Sequence, residues 1–270
     1  MIDFLLGVYR ILPLFKGKLR LGKVLFEKYT GKNHSLTFKA HYDVNYAIPN
    51  TLENIGVELL INGVYEKETI DFLKEKINAD AVYFDVGANI GSLALPVIKA
   101  KSGIRYYGFE ASPMVFEFLK KNMEINSISN FKIENKLVHR DSDQKMKFFQ
   151  SELYGKSSLS PTYTNDFIQV TSISLDKYLE EHKIEQIDWL KVDVQGFELN
   201  VFEGAVNSLK NKKIKNILFE CEDWAEDQAN IPRGKAREYL VELGFELWDF
   251  NGKKWVQDQS EKNTMIWARI

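Results

Sequence analysis

Residues 82–95 read VYFDVGANIGSLAL. The run from Val82 to Val86 is aromatic or β-branched apart from Asp85, which suits a strand buried on both faces. Gly87 and Gly91 then let backbone approach a ligand without a Cβ, and Asn89 between them tolerates a positive φ. The apolar run that follows suits a helix, whose N-terminal N–H groups face the turn. Such a turn cradles something with an anionic or polar end. It is not a dinucleotide fingerprint, because Asn89 takes the place of the middle glycine of G-x-G-x-x-G and no third glycine follows. A P-loop would need G-K-[ST], which is absent.

Outward from this stretch, strands and helices alternate. EKETIDFLKEKI precedes it as an amphipathic helix, and SLALPVIKAK continues it as a helix that Pro96 either bends or starts late. RYYGFE, FKIENKLV, IQVTSI, WLKVDV, NILFEC, FELWDF and TMIWARI read as strands, with helices between most of them and a short hairpin-like KMKFFQ before a Ser/Gly-rich loop. GFELNVFEGAVNSLK reads as one helix. This alternation predicts an α/β fold, Rossmann-like and doubly wound, with a mostly parallel sheet and helices on both faces. Ligands of such sheets sit beyond the carboxyl ends of the strands, where the connectivity reverses. Asp85, Glu110, Asp193 and Glu220 end strands and are the positions to test. Glu110 closes the strand after the glycine turn, where a carboxylate can accept both hydroxyls of a ribose. Taken singly, Asp85 also suits a helix cap and Glu110 a solvated strand end.

The chain has 270 residues, with 36 basic and 38 acidic side chains and a net charge of −2, so no global field draws it to nucleic acid. A small-molecule or glycan partner is expected instead. The single cysteine, Cys221, cannot form an internal disulfide, which fits a reducing, cytoplasmic setting. The N-terminal stretch lacks the pattern of a signal peptide, and its apolar runs are too short to span a bilayer. Basic residues interleaved with Leu, Val and Phe between Arg10 and Lys28 leave two readings, a packed helix with a solvated basic face or peripheral membrane contact. The oligomeric state is not legible.

The segments GVYEKETIDFL, YFDVGANIGSLAL, YGFEASPMVFEFLKKNMEIN, SLDKYLEE, IDWLKVDVQGFELNVFEGA and ILFECE, in this order, resemble the FkbM family of S-adenosylmethionine-dependent methyltransferases. The resemblance implies a seven-stranded methyltransferase sheet over residues 56–270, with residues 1–55 as a small N-terminal appendage of helical or irregular structure. It implies S-adenosylmethionine as cofactor, with Asp85, Gly87, Ala88, Asn89 and Gly91 at the methionine end, Glu110 at the ribose, Leu137 and Val138 beside the adenine, and Glu66 toward the ammonium. The acceptor it implies is a hydroxyl of a sugar, polysaccharide precursor or secondary metabolite.

In-line methyl transfer to an alcohol asks for alignment and for a group that takes or orients the hydroxyl proton. Asp193, ending its strand beside Gly196, is the expected catalytic residue, with Glu220 and His139 as the next bases. Gln195, Glu220 and Trp224 are candidate acceptor contacts, the amide as donor and acceptor and the indole as a stacking face or a packed side chain. No metal is expected; a cation held by Glu220, Glu222, Asp223 and Asp193 is the weighed alternative. A nicotinamide-dependent oxidoreductase is disfavoured by the broken glycine fingerprint, and a non-catalytic nucleoside-binding scaffold by the intact Asp193.

Overall fold

A computed structural model describes residues 2–255 and 264–270. The chain opens with helices α1 (Ile2–Ile11) and α2 (Lys18–Leu25), then an antiparallel pair β1 (Leu36–Lys39) and β2 (Asn45–Ile48). There follow α3 (Asn54–Asn62), α4 (Lys67–Lys76), β3 (Val82–Val86), α5 (Ala94–Ala100), β4 (Arg105–Phe109), α6 (Pro113–Ile125) and β5 (Phe131–Glu134). A second group comprises β6 (Leu137–Val138), β7 (Lys145–Phe149), β8 (Phe167–Ile173), α7 (Leu175–Glu181) and β9 (Ile187–Val192). The last elements are α8 (Glu198–Glu203), α9 (Val206–Lys210), β10 (Ile214–Cys221), α10 (Asp223–Gln228), α11 (Lys235–Glu242), β11 (Glu246–Trp248) and β12 (Thr264–Arg269).

Seven strands form the central sheet in the order β11-β12-β10-β9-β3-β4-β5. β5, β4, β3, β9 and β10 run parallel, and β12 is antiparallel to both of its neighbours. The order reverses between β3 and β9, so the crevice over their carboxyl ends is where the fold offers a ligand site. All five residues of β3 are buried, as befits a parallel strand covered by helices on both faces. Its side chains alternate: Tyr83 joins one core with Leu95, Leu119 and Trp189, while Phe84 and Val86 join the other with Tyr178, Val201 and Leu240. Each such side chain contributes about 1.5–3 kcal/mol by leaving water, and the two cores clamp the strand ends from both sides.

Several elements differ from the sequence reading. FKIENKLV is not one strand: β5 stays in the central sheet, whereas β6 leaves it to pair with β8 in a separate sheet of order β6-β8-β7. IQVTSI therefore does not extend the central sheet, and KMKFFQ supplies its antiparallel neighbour β7. GFELNVFEGAVNSLK breaks into α8 and α9 around Gly204, where a Cβ would stand 2.4 Å from the His139 carbonyl oxygen. Pro96 delays α5 rather than bending it. The helix begins at Ala94, so the proline lies in the first turn, where no N–H is needed.

The N-terminal hairpin reaches the main core. Tyr46 and Ile48 are buried in the cluster that holds Leu119 and Met123. Asn122 of α6 and Asn126 at its C-cap stand in for a strand edge: Asn122 accepts from Ala47 N at 2.7 Å and donates to its carbonyl at 3.0 Å, and Asn126 does the same for Asn45 at 2.8 and 2.6 Å. Asn122 also donates to Ile90 O at 2.9 Å. One buried amide thus ties the hairpin to the glycine turn.

Candidate functional site

The glycine turn is held by the next strand. Gly87 N and Ala88 N both donate to Phe109 O, at 3.0 and 2.9 Å, and Asp193 N donates to Val86 O at 3.1 Å. Gly87 has a φ of +75°, and a Cβ there would lie 1.9 Å from Asp193 O, so the turns after β3 and β9 touch through bare backbone. Gly196, at φ +95°, presses the second turn against α10, with a would-be Cβ 2.2 Å from Ala225 O. Glu66, Asn89 and Gln195, none of them glycine, also have positive φ values of 43°, 51° and 56°. All three line one cleft, and strain of this kind costs about 1–3 kcal/mol per residue and persists only where surrounding structure holds it.

That cleft has a volume of about 810 Å³ and lies over the carboxyl ends of β3, β4, β9 and β10. The structure brings Glu66, Gly87, Ala88, Asn89, Glu110, Leu137, Val138, Asp193, Gln195 and Glu220 to its wall. Asp85, Gly91 and Trp224 do not line it. Asp85 lies beneath the turn, where it faces Lys191 Nζ at 3.2 Å and accepts from Tyr106 OH at 3.0 Å. Gly91 faces Leu95 and Leu119. Trp224 stands at the rim, 37% exposed, edge-on to Tyr163 with ring centroids 6.5 Å apart, and with Lys156 Nζ 5.6 Å from its ring centre. His139 is buried away from the cleft wall, and burial lowers its pKa.

Lys191 is the functional residue that the sequence reading passed over. Its Nζ donates to Gly87 O at 2.9 Å and lies 3.4 Å from Asp193 Oδ2 as well as 3.2 Å from Asp85. The signal was present as a lone cation between Leu190 and Val192 in a buried strand. Burial alone would lower the Lys191 pKa, but the carboxylates of Asp85 and Asp193 outweigh it and raise it. For Asp193 burial works against the charge, and Lys191 together with hydrogen bonds from Glu220 and Gln195 outweighs it, so its pKa falls.

Glu220 goes the other way. Burial, then the charge of Asp193, raises it well above the usual carboxylate range, and it hydrogen-bonds Asp193. Two carboxyl groups in hydrogen-bond contact favour sharing one proton. Gln195 Nε2 bridges them, at 3.4 Å from Asp193 Oδ1 and 3.2 Å from Glu220 Oε2, and its buried Oε1 has no partner among the described residues. Glu198 anchors this turn by accepting from Val194 N and Gly196 N at 3.0 and 3.3 Å.

Glu110 accepts from Asn89 N at 2.9 Å with one oxygen and from Ser112 N at 2.8 Å with the other. Burial pushes its pKa up to about 7 against those two bonds. A carboxylate has about four acceptor positions, so lone pairs on both oxygens stay open to ligand hydroxyls. Burial, and then the charge of Asp193, raises the Glu66 pKa. The Ser/Gly-rich loop after β7 is anchored by the buried Tyr154 and by Ser160 Oγ, which donates to Gln228 O at 3.0 Å. Among the described residues, no three His, Cys, Asp or Glu side chains converge to hold a metal ion.

Fold and site together define a doubly wound α/β protein with an acid-lined cleft at its switch point. Residues 85–247 match the methyltransferase FkbM domain, and the chain belongs to that family. It is 27% identical over 146 residues to the hexuronic acid methyltransferase AglP of Haloferax volcanii, covering 54% of this chain and 59% of that one. It thus spans less than two thirds of that relative. Methyltransferase sdnD of Sordaria araneosa is 25% identical over 266 residues, covering 83% of this chain and 98% of that one. A crystal structure of an FkbM methyltransferase from Methylobacillus flagellatus superposes with a TM-score of 0.49 at 11% identity, over 80% of this chain and 53% of that one.

Proposed function

We propose that this protein transfers a methyl group from S-adenosylmethionine to a hydroxyl of a sugar-containing acceptor. The observation that carries the reading is the set of Asp193, Gln195 and Glu220 at the ends of β9 and β10, facing the cleft beside the glycine turn. The residues present fit the cofactor. Glu66 on the cleft wall offers a carboxyl group to the ammonium of that ligand. Glu110 retains acceptor positions for ribose hydroxyls, and Leu137, Val138 and Phe109 offer an apolar wall for a base.

When bound, S-adenosylmethionine supplies an electrophilic methyl group. The chain's own part is to orient and deprotonate. Asp193, kept ionised by Lys191, accepts the hydrogen bond of the acceptor hydroxyl and takes its proton as the oxygen loses electron density. Gln195 Nε2 lies between Asp193 and Glu220 and holds the two carboxyl groups in place at the cleft. Glu220, protonated, keeps Asp193 fixed without competing for the proton. The rim pair Trp224 and Tyr163, with Lys156 beside them, suits a sugar ring that bears an acidic group. The hexuronic acid named for the Haloferax volcanii relative supports that acceptor class.

The test is a screen of nucleotide sugars, hexuronates and neutral glycans with S-adenosylmethionine, read by mass spectrometry. A product that gains one methyl group and keeps it in mild alkali supports ether formation at a hydroxyl. Loss of the group in alkali would mark a carboxylate as the acceptor and overturn the hydroxyl assignment.

A further inference from the structure

Most of the large apolar side chains that the described residues expose fall between positions 4 and 25. Phe4 is 72% exposed, Ile11 77% and Val24 68%, and Leu5, Val8, Leu12, Leu14, Phe15, Leu21 and Leu25 are exposed with them. α1 and α2 are thus apolar on two sides. One side is spent on the fold, since Leu6, Tyr9 and Phe26 are buried with Val57, Leu60 and Ile61 of α3. The seat is tight: a Cβ on Gly22 would lie 2.2 Å from Ile61 Cγ2. Arg10 Nε donates to Leu60 O at 2.6 Å, and the buried Lys18 ammonium donates to Leu12 O and Arg10 O at 2.5 and 3.2 Å, closing the end of α1. The helix pair is therefore fixed, with its outer apolar face held toward solvent.

We propose that this outer face docks on a lipid bilayer that carries anionic headgroups. Charge selects this occupant. Lys16, Arg20, Lys23 and Lys28 are all exposed around the apolar side chains, and Glu27 is the only acid between residues 4 and 30. Aliphatic and Phe side chains fringed by Lys and Arg match the layered chemistry of a membrane interface, where the chains enter the acyl boundary and the cations meet phosphates. Clustered exposed apolar side chains rimmed by polar residues mark an interaction surface. The pair lies on the bilayer rather than through it, because among the described residues no helix is long and apolar enough to cross. Leu14, in the turn between the helices, also lines the cleft. Docking therefore sets the cleft mouth against the surface, where a lipid-borne acceptor reaches it; that consequence rests on the methyl-transfer reading, and the docking does not.

The test floats the full chain with vesicles of phosphatidylcholine alone and of phosphatidylcholine mixed with phosphatidylglycerol. The protein is expected to float with the mixed vesicles and to be released by salt. Ile11→Ser/Val24→Ser and Arg20→Glu/Lys23→Glu should each lower the vesicle-bound to free ratio by at least about tenfold. Both should keep the wild-type far-ultraviolet circular dichroism spectrum and a cooperative thermal transition, which shows that they fold. A wild-type chain that stays with the unbound fraction, variants that float as well as wild type, or sedimentation showing the face covered by a second copy would overturn the proposal.

Discussion

Lys191 Nζ lies 3.2 Å from Asp85 Oδ1, across the register pair that joins β9 to β3 at the point where the sheet reverses. Both side chains are almost fully buried, and the same ammonium reaches Asp193 and the Gly87 carbonyl. One cation thus links the floor of the glycine turn to the carboxylate at the open end of the cleft. Removing one partner of a buried pair leaves an uncompensated charge and costs about 3–5 kcal/mol. Lys191→Met should lower unfolding stability by that order in urea titrations. Adding Asp85→Asn should recover part of the loss, and an additive double variant would contradict the coupling.

The proton held by Asp193 and Glu220 predicts unequal responses to amide substitution. Asp193→Asn removes the charge that takes the acceptor proton, so turnover should fall by about 10² to 10⁴ with cofactor affinity retained. Glu220→Gln replaces a protonated acid by a near-isosteric amide that still donates, so turnover should stay within about tenfold of wild type. Steady-state rates on the same acceptor check both. A larger loss for Glu220→Gln than for Asp193→Asn would exchange the two roles.

Burial holds both Glu110 and Glu198 up to about 7, from an ordinary value of 4.5. In the folded chain they keep protons that the unfolded chain releases. Their contribution to stability is fully present below about pH 4.5 and is lost as pH rises toward 7, by on the order of 3 kcal/mol for each. Denaturant midpoints of Glu110→Gln and wild type, compared across that window, should converge at its acid end and separate at its neutral end in favour of the variant.

Trp224 lies outside the cofactor part of the cleft but on the rim shared with Tyr163 and Lys156. Trp224→Ala should raise KM for a sugar acceptor by about tenfold or more, the loss of one stacking contact, and leave cofactor affinity unchanged. Equal effects on both ligands would place the indole in the scaffold instead.

The parallel part of the sheet was legible because β3, β9 and β10 are largely buried runs with an acid at or just past their ends, and helices alternate with them. Glu110, Asp193 and Glu220 could be placed at the cleft from that alone, since strand ends converge there. The function of Asp85 was not legible. Register pairs it with Gly108 and Lys191, so it lies below the level of Glu110, Asp193 and Glu220, and the Lys191 that it faces comes from a strand distant in sequence. The small sheet was missed for a similar reason: β6 has two residues, and its partner is fixed by register with β8 rather than by anything local. The sequence left the face of α1 and α2 open between packing and membrane contact, because an apolar helix reads the same whether one side or two are covered.

The central claim is that the cleft binds S-adenosylmethionine through Glu110 at the ribose. Calorimetric titration of wild type and Glu110→Ala with S-adenosylmethionine, and separately with NADH, tests it most directly. The account predicts that S-adenosylmethionine binds wild type and NADH does not, and that Glu110→Ala weakens binding by about 1.5–3 kcal/mol for each lost charge-assisted bond. Binding of NADH in place of S-adenosylmethionine, or unchanged affinity in a folded Glu110→Ala protein, would contradict it.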